Sequence, residues 1–346
     1  MYKNDDIIIN VEHYDEKEYL MKKVVLCLIA IALLLVFDVT RQEKDTIIIY
    51  SSMEQFRGEE LQSQLNDKFP DMNVMVMYVS TAKSAAKIRV EGTGTDADIV
   101  VGLETSYLEK VQDSLADIQG KSKLDYVDGL TPEDNHNKYV TWERSAGAII
   151  VNKKVLEKYG LEMPTSYDDL LKPEYKDLVA MPDPKSSSTG YFLYKNMVNT
   201  RGEEGALAYF DLLQNNIKQF TESGSGPIKL LIQGEIAVGL GLTFQAVNEI
   251  NKQSPFEIIY PKEGSPFTLT GTALIKGREQ NEKILEVYDF IINDFLVFDK
   301  MYYSPETILK GQENIIENYP KDIQYADMTG IDDIQEKERL LDLWKY

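Results

Sequence analysis

The sequence predicts an α/β protein whose parallel-rich sheets are flanked by helices, and three observations lead there. From Thr46 onward, short runs recur that are apolar at every position instead of alternately, the pattern of strands covered on both faces. Between them lie segments with apolar residues near helical spacing, so strand and helix alternate as in βαβ units. The length of 346 residues suits two domains at roughly 100 to 200 residues each.

Residues 24–37 (VVLCLIAIALLLVF) are an unbroken apolar run behind Lys22-Lys23. As a helix the run reaches about 21 Å at about 1.5 Å per residue, short of a bilayer core of about 30 Å. It is therefore expected to be a signal-type segment or a short anchor. No A-x-A-like pair of small residues surrounds Asp38-Val39-Thr40, and Cys27 lies near the start of the run behind Leu26. Neither signal cleavage nor lipid attachment is expected, and an uncleaved anchor through residues 24–37 is the resulting expectation. Met21 before the two lysines reads as a second start, which makes residues 1–20 an upstream extension or a short tail. The rest of the chain carries no cysteine, as suits an exported domain without disulfides.

The strands and helices follow in order. Ile47-Ile48-Ile49-Tyr50 is the first strand, and residues 56–69 are a helix with Phe56, Leu61, Leu65 and Phe69 on its apolar side, ended by Pro70. Residues 74–79 are a strand, 84–90 a helix and 99–101 a strand closed by Gly102, which completes a βαβαβ unit. A second unit has strands at 148–151 and 178–181 and helices at 191–199 and 203–213. Pro227 is placed as the first helical residue of 228–233, which Gly234 stops. Strands at 236–242, 256–260 and 272–275 and a helix at 283–293 follow. With no repeat and no low-complexity linker, two lobes joined by crossing strands are expected: residues 46–141 with about 266–310, and residues 142–265 with part of 311–346.

Composition excludes several functions. The chain carries 57 acidic against 37 basic side chains, a net charge of −20, which opposes duplex nucleic-acid binding through Lys and Arg on phosphates. His13, His136 and Cys27 are the only soft ligands, too few for a zinc site or a Cys-His nucleophile pair. No G-x-S-x-G, H-E-x-x-H, P-loop or G-x-G-x-x-G occurs, and no catalytic residue, metal or cofactor is expected.

Chemistry is expected at the carboxyl ends of the strands, where helix amino termini point. Four such loops carry hydroxyls: Ser51-Ser52, Ser80-Thr81, Ser187-Ser188-Thr189-Gly190 and Ser223-Gly224-Ser225. Hydroxyls beside free helix-start amides make an oxyanion site. The same residues are also good N-caps, so any one loop is explained structurally. Lys83, beside Ser80-Thr81, is available as a positive charge or as a solvated surface lysine. Trp142, next to Glu143 and Arg144 at the expected crossing, either walls the cleft or packs in the core.

Several stretches resemble the extracellular solute-binding proteins of ABC importers, in the branch with iron(III), aminoethylphosphonate, sugar-phosphate, thiamine and polyamine binders. They are Asp96-Ala97-Asp98-Ile99-Val100, the run from Pro164 to Pro173, Met181-Pro182-Asp183-Pro184, Gly234-Glu235-Ile236-Ala237-Val238-Gly239, Tyr260-Pro261-Lys262-Glu263-Gly264 and the ending Leu340-Leu341-Asp342-Leu343-Trp344. The resemblance implies a type II periplasmic-binding-protein-like fold with its ligand cleft between the lobes, and ABC permease and ATPase subunits as partners. It also implies a location in the periplasm or on the extracellular face of the membrane. Ferric binders of this family use a tyrosine pair where this chain reads Leu242-Thr243-Phe244-Gln245, so Thr243 is expected to line a hydroxyl site and no tyrosinate iron site is expected. A small solute with a phosphate, phosphonate or other oxyanion group is the expected ligand. The competing expectations are a membrane-anchored ligand sensor and an exported carboxylate-dependent hydrolase.

Overall fold

The computed structural model describes Met21 and residues 46–346; the expected tail and the apolar run 24–37 lie outside the described residues. The strands are β1 (Thr46–Ser51), β2 (Asn73–Tyr78), β3 (Ile99–Glu104), β4 (Val140–Asn152), β5 (Val179–Pro182), β6 (Ile217–Thr221), β7 (Val238–Leu242), β8 (Phe256–Ile259) and β9 (Phe267–Leu274). The helices are α1 (Gln55–Lys68), α2 (Thr81–Glu91), α3 (Thr105–Lys110), α4 (Lys153–Tyr159), α5 (Ser188–Leu213), α6 (Gly226–Ile232), α7 (Thr243–Asn251), α8 (Glu282–Phe290), α9 (Leu296–Tyr302) and α10 (Ile334–Leu343).

The strand order is β2-β1-β3-β9-β4-β7-β5-β6, with β8 also on β4. Parallel pairs join β1 to β3, and β5 to both β6 and β7. The strands between these groups run antiparallel: β9 against β3 and β4, and β4 against β7 and β8. Continuous apolar runs mark burial on both faces but not strand direction, so the antiparallel crossing was not visible in them.

The crossing is made by one long strand. Val140 to Ala146 of β4 pair with β9, and Gly147 to Val151 pair with β7. Its first half alternates Thr141, Glu143 and Ser145 with Trp142, Arg144 and Ala146, so only 148–151 read as an apolar run. At the changeover, a Cβ on Gly147 would lie 2.5 Å from the Phe192 ring, so only glycine lets α5 pack there. Gly202 (φ 71°) breaks α5 into the two helical segments expected from the sequence, since positive φ costs glycine little.

Each side of the crossing has its own cores. Ile47, Leu61, Ile99, Trp142 and Phe295 belong to one, with Tyr50, Ile88, Val100 and Leu103 forming a satellite of it. On the other side Ile149, Val179, Phe192, Phe210 and Val238 pack together and take in Leu340 and Trp344 from the C-terminus. Trp344 is 1% exposed and meets Phe210 at 4.8 Å, Tyr194 at 5.1 Å and Phe220 at 5.6 Å between ring centroids. Truncating so enclosed a side chain removes its transfer energy and leaves a cavity, so Trp344→Ala is expected to cost about 3 to 5 kcal/mol in urea unfolding.

Candidate functional site

A cleft of about 670 Å³ opens where the strand ends of the two sides face one another. Ser52, Ser80, Thr81 and Lys83 line it from one side, and Ser187, Ser188, Thr189, Ser223, Gly224, Ser225 and Lys229 from the other. Arg57, Glu54, Glu143 and Ser145 close its base.

Local sequence explains how each wall is presented. The chain leaves β2 at Tyr78 and enters α2 at Thr81, with Ser80 at the N-cap position. It leaves β5 at Pro182 and enters α5 behind Ser187, and it leaves β6 at Thr221 and enters α6 behind Ser225, with Pro227 in the first turn. The last two loops touch: a Cβ on Gly224 would stand 2.4 Å from the Thr189 Oγ1. Glycine there brings the Ser223–Ser225 segment against the start of α5.

The hydroxyls at these helix starts do not cap. Ser80, Ser187 and Ser225 stand at N-cap positions without a side-chain capping bond. Asn152, Asn281 and Asp333, at the starts of α4, α8 and α10, each accept two backbone amides. The first-turn amides of a helix lack intrahelical partners, so the serine-led helices offer the cleft backbone donors and hydroxyls not spent on capping, the Ser225 hydroxyl lying 3.2 Å from that of Ser223 in a shared hydrogen bond. Ser52 is different, since its hydroxyl donates to the Val79 carbonyl at 2.9 Å.

At the base, Arg57 is 1% exposed and gathers three carboxylates. Its Nε and Nη2 donate to Asp299 at 2.8 and 2.6 Å, its Nη1 donates to Glu54 at 3.0 Å, and its Nη2 also pairs with Glu143. Lys300 adds a contact to Asp299 at 3.0 Å, Ser145 donates to Glu143, and Gln245 of α7 donates to Glu54 at 3.3 Å. The Phe244 ring lies 5.3 Å from the guanidinium carbon. Burial pushes the Glu54 carboxyl up, with Arg57 opposing it. Burial acts on Glu143 in the same sense, but Arg57 and Lys300 outweigh it and hold that carboxyl down at about 2.

The charges of the cleft therefore divide into two kinds. Glu54, Glu143 and Asp299 are held in ion pairs with Arg57 and Lys300, and the Lys185 ammonium donates to the Trp344 carbonyl at 2.7 Å. Lys83 on α2 and Lys229 on α6 are exposed and, among the described residues, carry no ion pair or hydrogen bond of their side chains. One unpaired ammonium thus stands on each wall. Glu222, exposed on the rim, and Asp183, half-buried and accepting the Lys185 amide at 2.9 Å, are the lining carboxylates left without an ion pair among the described residues.

Nine of the residues singled out from sequence border the cleft: Ser52, Ser80, Thr81, Ser187, Ser188, Thr189, Ser223, Gly224 and Ser225. Four lie elsewhere. Ser51 is buried beside a smaller neighbouring cavity and its hydroxyl accepts the Met53 amide at 3.3 Å. Trp142 is fully buried and stacks on Phe295 at 6.0 Å between ring centroids, so it packs in the core instead of walling the cleft. Gly190 is needed for close packing, since a Cβ there would meet the Pro182 carbonyl at 2.5 Å. Thr243 is buried at the start of α7 and accepts the Tyr260 hydroxyl at 3.2 Å. Among the described residues no group of three His, Cys, Asp or Glu is placed to hold a metal ion.

Sequence reasoning missed the base of the cleft and Lys229. Arg57 had a signal: it stands four residues before Leu61 and eight before Leu65, on the apolar stripe of α1 where a charge needs buried partners. Those partners, Glu143 and Asp299, are 86 and 242 residues away, and nothing in the local pattern points to them.

Comparison with known proteins bears on this geometry. The sequence profile described as bacterial extracellular solute-binding protein matches residues 97–296, more than half of the chain. The chain belongs to the bacterial extracellular solute-binding proteins. A spermidine/putrescine-binding periplasmic protein of Salmonella typhimurium is 27% identical over 228 residues, 62% of this chain and 64% of that protein, so the match spans a little under two thirds of that relative. An uncharacterized protein of Haemophilus influenzae is 25% identical over 241 residues, 68% of this chain and 69% of that protein. Among solved structures, the periplasmic binding protein P5PA superposes with a TM-score of 0.74 at 22% identity, over 87% of this chain and 98% of that one. The periplasmic binding protein AfuA of Actinobacillus pleuropneumoniae, with fructose-6-phosphate bound, does so with a TM-score of 0.71 at 23% identity and the same coverage. These neighbours share the two-lobed α/β fold expected from the sequence.

Two measurements test the site of this solute-binding protein as a structure. Because Ser80 and Ser187 make no capping bond, Ser80→Ala and Ser187→Ala are expected to change stability by less than about 0.5 kcal/mol, whereas Asn281→Ala, which removes a real cap, costs about 1 kcal/mol in thermal melts. For Glu143 the sign follows from its depressed carboxyl. Its contribution is fully present above the ordinary value of 4.5 and is lost as pH falls through about 2. Glu143→Gln is therefore expected to be less stable by about 3 kcal/mol at neutral pH. It should also lose less stability than the parent between pH 4.5 and 2, as followed by urea titration at each pH.

Proposed function

We propose that the protein captures a small solute bearing a phosphate, phosphonate or other oxyanion group in this cleft, leaves it chemically unchanged, and delivers it to an ABC permease and its ATPase subunits. The observation that carries this reading is the pairing of uncapped hydroxyl-bearing helix starts with one unpaired ammonium on each wall, Lys83 and Lys229. An oxyanion between them accepts hydrogen bonds from hydroxyls and first-turn amides and balances two positive charges. The sugar phosphate held by a neighbour of the same fold supports the choice of ligand class.

The lobes of this reading are residues 46–141 with about 266–310, and residues 142–265 with part of 311–346, closing on the solute by a hinge at the crossing strands. The apolar run 24–37 serves as an uncleaved anchor on the outer face of the membrane, which intact-mass measurement of the native protein checks by finding residues 21–37 retained.

A polyamine is the second reading, favoured by the name of the Salmonella relative. Against it, Arg57 already engages Glu54 and Glu143 at the base of the cleft, and an exposed ammonium on each wall, Lys83 and Lys229, opposes a polycation, with Asp183 and Glu222 the lining carboxylates left without an ion pair among the described residues. Calorimetric titration with inorganic phosphate, fructose-6-phosphate, a simple phosphonate and spermidine separates the two. A phosphate or phosphonate is expected to bind, with Ser188→Ala and Ser225→Ala each weakening it by roughly ten- to a hundredfold, the loss of one charge-assisted hydrogen bond. Tight binding of spermidine alone would replace the oxyanion reading, and turnover of a bound ester would replace capture by catalysis.

A further inference from the structure

The C-terminal helix α10 contributes no residue to the lining of the cleft, yet four consecutive side chains on it are tied to both lobes. Glu336 accepts the Lys195 ammonium at 2.9 Å, and Arg339 pairs with Glu203 at 2.7 Å; both partners are on α5. Lys337 donates to Glu104 at the end of β3 at 2.5 Å, and Glu338 pairs with Lys110 on α3. Helical spacing accounts for the first pair, because Glu336 and Arg339, three residues apart, share a face. Leu340 and the following Trp344 embed this end of the chain in the second core.

Lys337 differs from its three neighbours in depth. It is 1% exposed, and its ammonium lies 4.2 Å from the ring centroid of Tyr107 on α3 and 4.5 Å from that of Tyr191 on α5. A buried cation is thus held by a carboxylate and an aromatic ring of one lobe and by an aromatic ring of the other. Burial lowers its basicity and Glu104 opposes that effect. The second Glu104 oxygen is buried without a hydrogen bond, so Lys337 and the Ser106 hydroxyl carry that carboxylate's side-chain contacts.

Both groups lie directly behind the cleft. The Glu104 amide donates to the Thr81 hydroxyl at 3.3 Å, and Thr81 opens α2 on the first wall. Tyr191 comes three residues after Ser188, in the helix turn that forms the second wall. A displacement of either wall relative to the other therefore has to move Lys337 against a ring or pull it from Glu104.

We propose that Lys337 is a positioning residue for solute capture: through Glu104 and Tyr107 on one side and Tyr191 on the other, it sets the spacing of the two cleft walls from behind. Its relevance to capture rests on the cleft being the binding site, while the mechanical link is readable without any solute. Replacing Lys337 alone leaves Glu104 buried and unpaired, so the decisive variant neutralises both partners, Lys337→Met with Glu104→Gln, which keeps side-chain size and removes the buried charges.

The experiment is hydrogen exchange on the full-length chain, resolved by segment, for the parent, the double variant and Lys337→Met. Amides of residues 81–84 and 188–191 are expected to exchange about tenfold faster, together, in both variants, while residues 99–101 and 238–242 in the sheets keep the parent rate. Acceleration of one wall alone, equal acceleration of every segment, or no change in the double variant would each overturn the proposal. Repeating the measurement with fructose-6-phosphate tests the oxyanion reading separately: protection of the walls supports it, and its absence removes that reading while leaving the ligand-free result intact.

Discussion

The Arg57 cluster is the constraint on which the cleft depends. A guanidinium with 1% exposure would be prohibitively unstable alone, and here α1, β4 and the start of α9 each bring it a carboxylate or its neighbour. Buried ion pairs of this kind add little net stability compared with apolar residues, but they tolerate few arrangements, because losing one partner strands the others. The cluster thus holds the first helix against the crossing strand and commits the carboxylates at the base of the cleft to ion pairs. What a solute meets beyond it is decided by the rims.

Close approach is the second requirement. The two hydroxyl loops of one wall converge because Gly224 has no Cβ to meet Thr189, and α5 reaches the crossing strand because Gly147 has none to meet Phe192. Three strand-to-helix turns then point helix starts into one space, and their serines leave the N-cap bond unmade. Elsewhere in the same chain asparagine and aspartate cap ordinary helices. The contrast locates the chemistry better than the presence of serine does, since serine at a helix start is common for structural reasons alone.

Overall charge and local charge point in opposite directions. The chain carries −20, yet the unpaired side chains on the two cleft walls include Lys83 and Lys229. Screening over about 8 Å at physiological salt confines most of the surface field to its own neighbourhood. A local pair of ammoniums beside helix starts therefore governs a bound group at contact distance, while the acidic exterior acts on solubility and on the approach of charged partners.

How far the sequence reaches follows from the range of each interaction. Runs of apolar residues, a proline in the first turn of α6 and a glycine at the break in α5 are local signals, and they were enough for the alternation of strand and helix and for the family resemblance. The hydroxyl loops were legible for the same reason, because strand ends and helix starts are adjacent in sequence. The direction of β4 and β9, the burial of Trp142 against Phe295, and the Arg57 cluster were decided by the tertiary structure. An antiparallel and a parallel strand bury the same residues, and a charge pair spanning 242 residues leaves no trace in the spacing of either partner. Lys229 belongs with these: a lysine in the first turns of a short helix reads as surface until the opposite wall, with Lys83 on it, is seen to face the same cleft.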